Sequence, residues 1–129
     1  MPNPNPSALV VDDNLVNQEV AALLLRREGW MVTTLASGNE ALDWLAKQGV
    51  DVVLLDLSMP GLSGEEVCRR LRAMPQTREL RLIAYTAHAL EHERARILAC
   101  GFDDILVKPI SRERLLEAVK PQPRASGVE

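Results

Sequence analysis

Along most of its length the chain alternates between short unbroken apolar runs and longer stretches in which apolar residues recur every three or four positions. The runs are ALVV (8–11), WMVTTL (30–35), DVVLLD (51–56), RLIAYT (81–86) and DILVK (104–108). Rich in β-branched residues and bounded by turn formers, they predict strands, and the continuous DVVLLD predicts one covered on both faces. Between them lie helical patterns. Residues 15–28 put Val16, Val20, Leu23 and Leu24 on one face. SGNEALDWLAKQG opens with Ser37 and Glu40 in capping-box spacing and stops at Gly49. GEEVCRRLRAM turns Val67 and Leu71 inward, with Arg69, Arg70 and Arg72 expected on a solvated face. Residues 88–100 carry Leu90, Ile97 and Leu98 and end at Gly101. Ser111 caps a last helix with Leu115, Leu116 and Val119.

Strict strand–helix alternation with short connections implies an α/β fold: a parallel sheet with helices on both faces. Residues 8–120 read as one domain. The Pro/Asn-rich head (1–7) and the Pro-rich polar tail (121–129) read as flexible segments. In such sheets a ligand crevice lies beyond the carboxyl ends of the strands, where strand order reverses.

Composition narrows the function. The chain has 129 residues and a net charge of -3, so it offers no general basic field for nucleic acid or an anionic membrane. Aromatic residues are too few for a base-stacking platform: Trp30, Trp44, Tyr85 and Phe102 are the full set. The two tryptophans read as core or rim packing. No apolar run approaches a membrane span and no signal peptide is evident, so the expectation is a cytoplasmic protein without nucleic-acid or membrane contact. Cys68 and Cys100 form no C-x-x-C pair and read as buried, reduced thiols.

The carboxyl edge carries the chemistry. The first strand delivers Asp12 and Asp13, the third Asp56, the fourth Thr86 and the fifth Lys108, followed by Pro109. Each has an ordinary explanation alone: Asp13 as a helix cap, Asp56 as a turn residue, Thr86 as a cap, Lys108 as a solvated strand end. Their coincidence at one edge is harder to assign to caps and turns. Converging carboxylates raise one another's pKa unless a cation neutralises them. All-oxygen donors favour a hard ion, Mg²⁺ or Mn²⁺. With a lysine and a hydroxyl beside it, the set describes a phosphate site, and carboxylates are established nucleophiles towards phosphoryl groups.

VVDDN (10–14), LLDLSMPGLSG (54–64), YTA (85–87) and LVKPI (106–110) resemble the receiver domains of two-component response regulators over roughly residues 8–120. The resemblance implies a flavodoxin-like (βα)5 doubly wound sheet of order 2-1-3-4-5, in which Asp56 takes a phosphoryl group from a histidine kinase or histidine phosphotransfer protein. It implies Asp13 as a direct metal ligand, Asp12 acting largely through water, Asp56 supplying a side-chain oxygen and Ser58 a backbone carbonyl. Thr86 becomes the switch hydroxyl, Lys108 the phosphate-pairing lysine and Lys108–Pro109 a candidate cis bond. Such a domain is a signalling switch with at most weak self-phosphorylating and self-dephosphorylating activity, not a metabolic enzyme. Its partner surface is the face of helix four, strand five and helix five.

DDNLVNQEV and TAHALEHERARILACGFDDILVKPI further resemble receivers attached to hybrid sensor kinases. Asn17 belongs to that pattern, and its own reading is a solvated helix residue. The chain departs from the family where many members carry Tyr or Phe in the last strand: here that position is Ile105. Tyr85, by strand alternation, faces away from Thr86 and reads as packing. His88 and His92 are spaced like a metal-binding pair, without a third ligand. His88, two residues after Thr86, and Ser58 are expected to tune the lifetime of the phosphorylated form. Two other readings compete: a phosphorylation-independent interaction module on the same fold, and an aspartate-nucleophile phosphatase. Leu57 and Ser58 after Asp56 weigh against the phosphatase, which needs a second acid there. No output domain follows helix five, so the expectation is a stand-alone regulator or a receiver from a longer protein. The kinase, signal, downstream partner and oligomeric state are not encoded in these patterns.

Overall fold

A computed structural model describes residues 6–87 and 90–120. The elements are β1 (Ser7–Val11), α1 (Leu15–Arg27), β2 (Met31–Leu35), α2 (Gly38–Leu45), β3 (Val52–Asp56), α3 (Gly64–Ala73), β4 (Arg81–Thr86), α4 (Glu91–Ala99), β5 (Asp104–Val107) and α5 (Arg112–Val119). The five strands are parallel in the order β2-β1-β3-β4-β5. The alternation predicted the parallel sheet, and this order is the flavodoxin-like one that the receiver resemblance implies. The strand order reverses between β1 and β3, placing the crevice beside Asp12 and Asp56.

Alternation along the buried strands builds two cores. Leu9, Val11, Val53, Leu55, Leu82 and Ala84 face one way, towards α2, α3 and α4. Val10, Leu54, Ile83 and Tyr85 face the other way, towards α1 and α5. β3 is buried at all five positions, as its continuous apolar run requires, whereas β2 is a half-buried edge strand.

Helix α1 corrects the sequence reading. Its buried face is Gln18, Ala21, Ala22 and Leu25. Val16, Val20 and Leu23 are exposed, and Leu24 is only partly covered. Two alanines let the helix lie close against the sheet, and a glutamine with buried work is invisible to an apolar count. Helix α2 ends at Leu45 with Ala46 as its cap, short of Gly49. Ser37 accepts from Glu40 N, but the Glu40 carboxylate reaches Ala36 N rather than the cap's own N–H. Helix α4 begins at Glu91, and only Ile97 is buried; Leu90 and Leu98 lie exposed. Gly101 follows it at φ +120°, a left-handed conformation that frees the chain to turn into β5.

Arg72 is also corrected. Arg69 and Arg70 are exposed, but the Arg72 side chain is only 16% exposed. Its guanidinium donates to the carbonyls of Gly101 (2.9 Å), Arg78 (2.8 Å) and Leu80 (2.5 Å) and to Asp103 Oδ2 (3.0 Å). Asp103 Oδ2 in turn accepts from Leu82 N at 2.9 Å. One side chain thus ties α3 to the entrances of β4 and β5. Cys68 is buried and Cys100 half-buried, and both are free thiols.

Candidate functional site

The strand ends converge because hydrogen bonds continue the ladder beyond them. Asp12 N donates to Leu35 O at 3.1 Å. The buried Gln18 amide then bridges the carbonyls of Asp12 (2.6 Å) and Leu35 (3.1 Å). The cap of α1 is Asn14, whose side chain accepts from Asn17 N, so Asp13 has no capping duty. Lys108 N donates to Thr86 O at 2.8 Å, extending the β4–β5 pairing to the lysine, and the Lys108–Pro109 bond is cis.

Carboxylate oxygens of Asp12, Asp13 and Asp56 lie within 4.8 Å of one another. Asp12 and Asp56 are buried and Asp13 is exposed, so the cluster opens to solvent on the Asp13 side. Asp12 Oδ1 accepts from Asn14 N at 2.9 Å. Among the described residues Asp12 Oδ2 is buried without an aligned hydrogen bond, and the Lys108 Nζ charge faces it at 3.2 Å. Asp56 Oδ1 accepts from Ser58 N (3.1 Å) and Lys108 Nζ (3.4 Å). Burial pushes the Asp56 carboxyl above the usual range; the Ser58 N–H and Lys108 oppose that rise, and Asp12 adds to it.

One ammonium therefore serves two buried carboxylates, with a third nearby and one oxygen orphaned. Buried charge in this state calls for a cation. All donors are hard oxygens, so the residues fit Mg²⁺ or a similar ion. Thr86 is buried at the end of β4, one step past the Tyr85 that pairs with Asp56. Ser58 is exposed, and Ile105 is buried among Leu82, Ala84, Ile97 and Phe102. His88 lies outside the described residues; His92 is exposed on α4. Gly64, the first residue of α3, packs against the Asp56 backbone: a β-carbon there would collide with the Asp56 carbonyl oxygen and crowd Leu57 Cα.

A family model for the response regulator receiver domain matches residues 8–120. The chain belongs to this family. It is a receiver domain of two-component signalling, a phosphoacceptor module rather than a metabolic enzyme. Relatives include the phosphate regulon transcriptional regulatory protein PhoB of Rhizobium meliloti, 41% identical over 96% of this chain and 55% of its own length. The sensor protein GacS of Pseudomonas syringae is 36% identical over 88% of this chain and 13% of its own length. The chain thus spans about half, or far less, of these relatives. Among solved structures, the receiver of the sensor histidine kinase PA1611 from Pseudomonas aeruginosa superposes with a TM-score of 0.82 at 36% identity, covering 89% of this chain and 94% of that one. That structure holds a magnesium ion coordinated in the active-site cleft. The chemotaxis response regulator CheY4 of Vibrio cholerae gives a TM-score of 0.84 at 29% identity, over 89% and 96% of the two chains. Resemblance to receivers of hybrid sensor kinases holds, alongside relatives of the PhoB kind. No helix among the described residues is long and apolar enough to cross a membrane.

Three residues of this receiver escape a reading by pattern. Gln18 and Arg72 look like surface residues until their hydrogen bonds are seen. Tyr85 does pack in the core, as its alternation predicts, but Lys108 Nζ also lies 4.6 Å from its ring centroid.

Proposed function

We propose that Asp56 is the phosphoacceptor of this receiver, charged by a histidine kinase or a histidine phosphotransfer protein and dependent on Mg²⁺ or Mn²⁺. The observation that carries the reading is the Asp56 carboxylate, buried at the end of β3 and held by Ser58 N–H and Lys108 beside the Asp12 and Asp13 oxygens. A carboxylate oxygen attacks phosphorus, the bond from phosphorus to the donor imidazole nitrogen breaks, and its electron pair stays on the imidazole. Asp13, Asp56 and the Ser58 carbonyl would hold the divalent ion directly, and Asp12 through water. Its chemistry is charge neutralisation between the carboxylates and the phosphoryl oxygens.

Lys108 then exchanges a carboxylate for a phosphoryl oxygen, and the Thr86 hydroxyl draws in as a donor. Ile105 has no hydroxyl or ring to follow Thr86, so the readout runs through movement of the segment after β4. Exposed Leu90, Leu98 and Val107 supply an apolar surface for a downstream protein on the α4–β5–α5 face. The donor must reach Asp56 from the carboxyl edge, where exposed Leu15, Val16, Val20 and Leu23 of α1 offer it an apolar footing. His88 and Ser58 tune water access and so the phosphorylated lifetime; self-phosphorylation and self-dephosphorylation are weak. The compartment is the cytoplasm.

The test is intact mass after incubation with acetyl phosphate, with and without Mg²⁺, on the parent and on Asp56→Asn. A single phosphoryl adduct that needs Mg²⁺ and vanishes in the variant is expected. An adduct that survives the substitution would move the acceptor elsewhere.

A further inference from the structure

We propose that Tyr85 is a positioning residue for Lys108: its ring is the seat that keeps the ammonium aimed at the crevice once the carboxylates no longer hold it. This rests on the reading of Asp56 as phosphoacceptor. The Lys108 Nζ touches three groups among the described residues: Asp12 Oδ2 at 3.2 Å, Asp56 Oδ1 at 3.4 Å and the Tyr85 ring at 4.6 Å. The two carboxylates are state-dependent partners. A divalent ion competes with the ammonium for both, and phosphorylation converts Asp56 into an acyl phosphate with no carboxylate charge at that position. The ring keeps its attraction in every state, because a face of π-electron density is altered by neither event.

The fold makes this seat rigid. Tyr85 is 2% exposed and packed with Val10, Leu54, Leu106 and Leu115. It pairs with Asp56 across β3–β4 and with Leu106 across β4–β5, so acceptor, ring and lysine strand are locked in one register. Lys108 is the opposite case, a four-carbon stem carrying a freely rotating point charge, rooted beyond the last residue of β5. Such a side chain needs a fixed contact to stay pre-organised for the transferring phosphoryl group. An aliphatic residue at position 85 would fill the same core without providing one.

The parent, Tyr85→Phe, Tyr85→Leu and Tyr85→Met are compared by the rate of phosphoryl uptake from acetyl phosphate with Mg²⁺, and by NMR of ¹³C-labelled lysine. Only Lys47, Lys108 and Lys120 contribute lysine signals, so Lys108 is assignable by Lys108→Met. The expected result is a Phe variant close to the parent and Leu and Met variants slower by about tenfold. The Lys108 side-chain signals should carry a ring-current shift in the parent and Phe proteins that persists with Mg²⁺ and beryllium fluoride, and lose it in Leu and Met. Folding is monitored by thermal melts, and Met guards against a packing defect specific to Leu. Uptake by the Leu and Met variants at the parent's rate overturns the inference and leaves Asp56 untouched. So does a Lys108 ring shift that disappears when Mg²⁺ and beryllium fluoride are added to the parent. A parent that takes up no phosphoryl group from any donor overturns the reading of Asp56 and this inference with it.

Discussion

Two pairings of largely covered acid and base sit at opposite ends of the β4–β5 pair. At the amino ends, Arg72 and Asp103 satisfy each other and the backbone around them: the guanidinium reaches three carbonyls and the carboxylate, and the same carboxylate oxygen takes Leu82 N–H. At the carboxyl ends, Lys108 stands between Asp12 and Asp56 with one carboxylate oxygen unmatched. The first uses a planar fork that places four hydrogen bonds on fixed acceptors; the second uses a point charge that can change partners. A complete network fastens elements together, and an incomplete one is held ready for a ligand.

The contrast can be broken most forcefully at the amino end. Arg72→Met removes the ion pair to Asp103 and three hydrogen bonds to backbone carbonyls, and should cost about 3 kcal/mol of unfolding free energy. Urea titration reads this directly, and a loss of only a few tenths would reduce Arg72 to an ordinary surface pair. At the carboxyl end the sign reverses. Asp56→Asn removes one of two crowded negative charges and should stabilise the ion-free protein by on the order of 1 kcal/mol near neutral pH.

That gain should depend on pH in a fixed direction. The folded Asp56 carboxyl lies above its ordinary value of 3.8, mainly through burial, so the folded state holds its proton longer than the unfolded one. Stability from the protonated form is complete below that ordinary value and is lost as pH rises through the folded pKa. The difference between Asp56→Asn and the parent should therefore widen as pH rises above about 4, and adding Mg²⁺ should close it by stabilising the parent. Equal pH profiles for the two proteins would mean the carboxylates are not in conflict. The smallest effect concerns reactivity. Cys68 neighbours Arg72, yet burial pushes its thiol up to about 12. Iodoacetamide should add to Cys100 first in the folded protein and to Cys68 only in urea, as read by peptide mass.

Strands and the crevice were legible in the sequence because each rests on a local signal: a run of apolar residues, or an acid, hydroxyl or lysine directly after it. DVVLLD ends in Asp56 wherever the helices pack, so the proposed acceptor can be placed without knowing the core. Helix α1 was not legible in this way. Its apolar residues outnumber the places available against the sheet, and close approach selected Ala21, Ala22 and Leu25 with the hydrogen-bonding Gln18. Arg72 and Tyr85 escaped for a related reason. Their partners, Gly101 to Asp103 and Lys108, are distant in sequence, and no periodicity within one helix or strand reports on a contact between two.

Gly64 shows how this arrangement would look to genetics. The position carries no charge and no side chain, yet the smallest possible side chain there would press on the backbone of Asp56. Any missense change of a glycine codon adds at least a β-carbon. In a library of random variants scored for signalling, position 64 should fall silent alongside position 56, and a tolerance map read without the structure would count it among the chemical residues when its role is only to leave room.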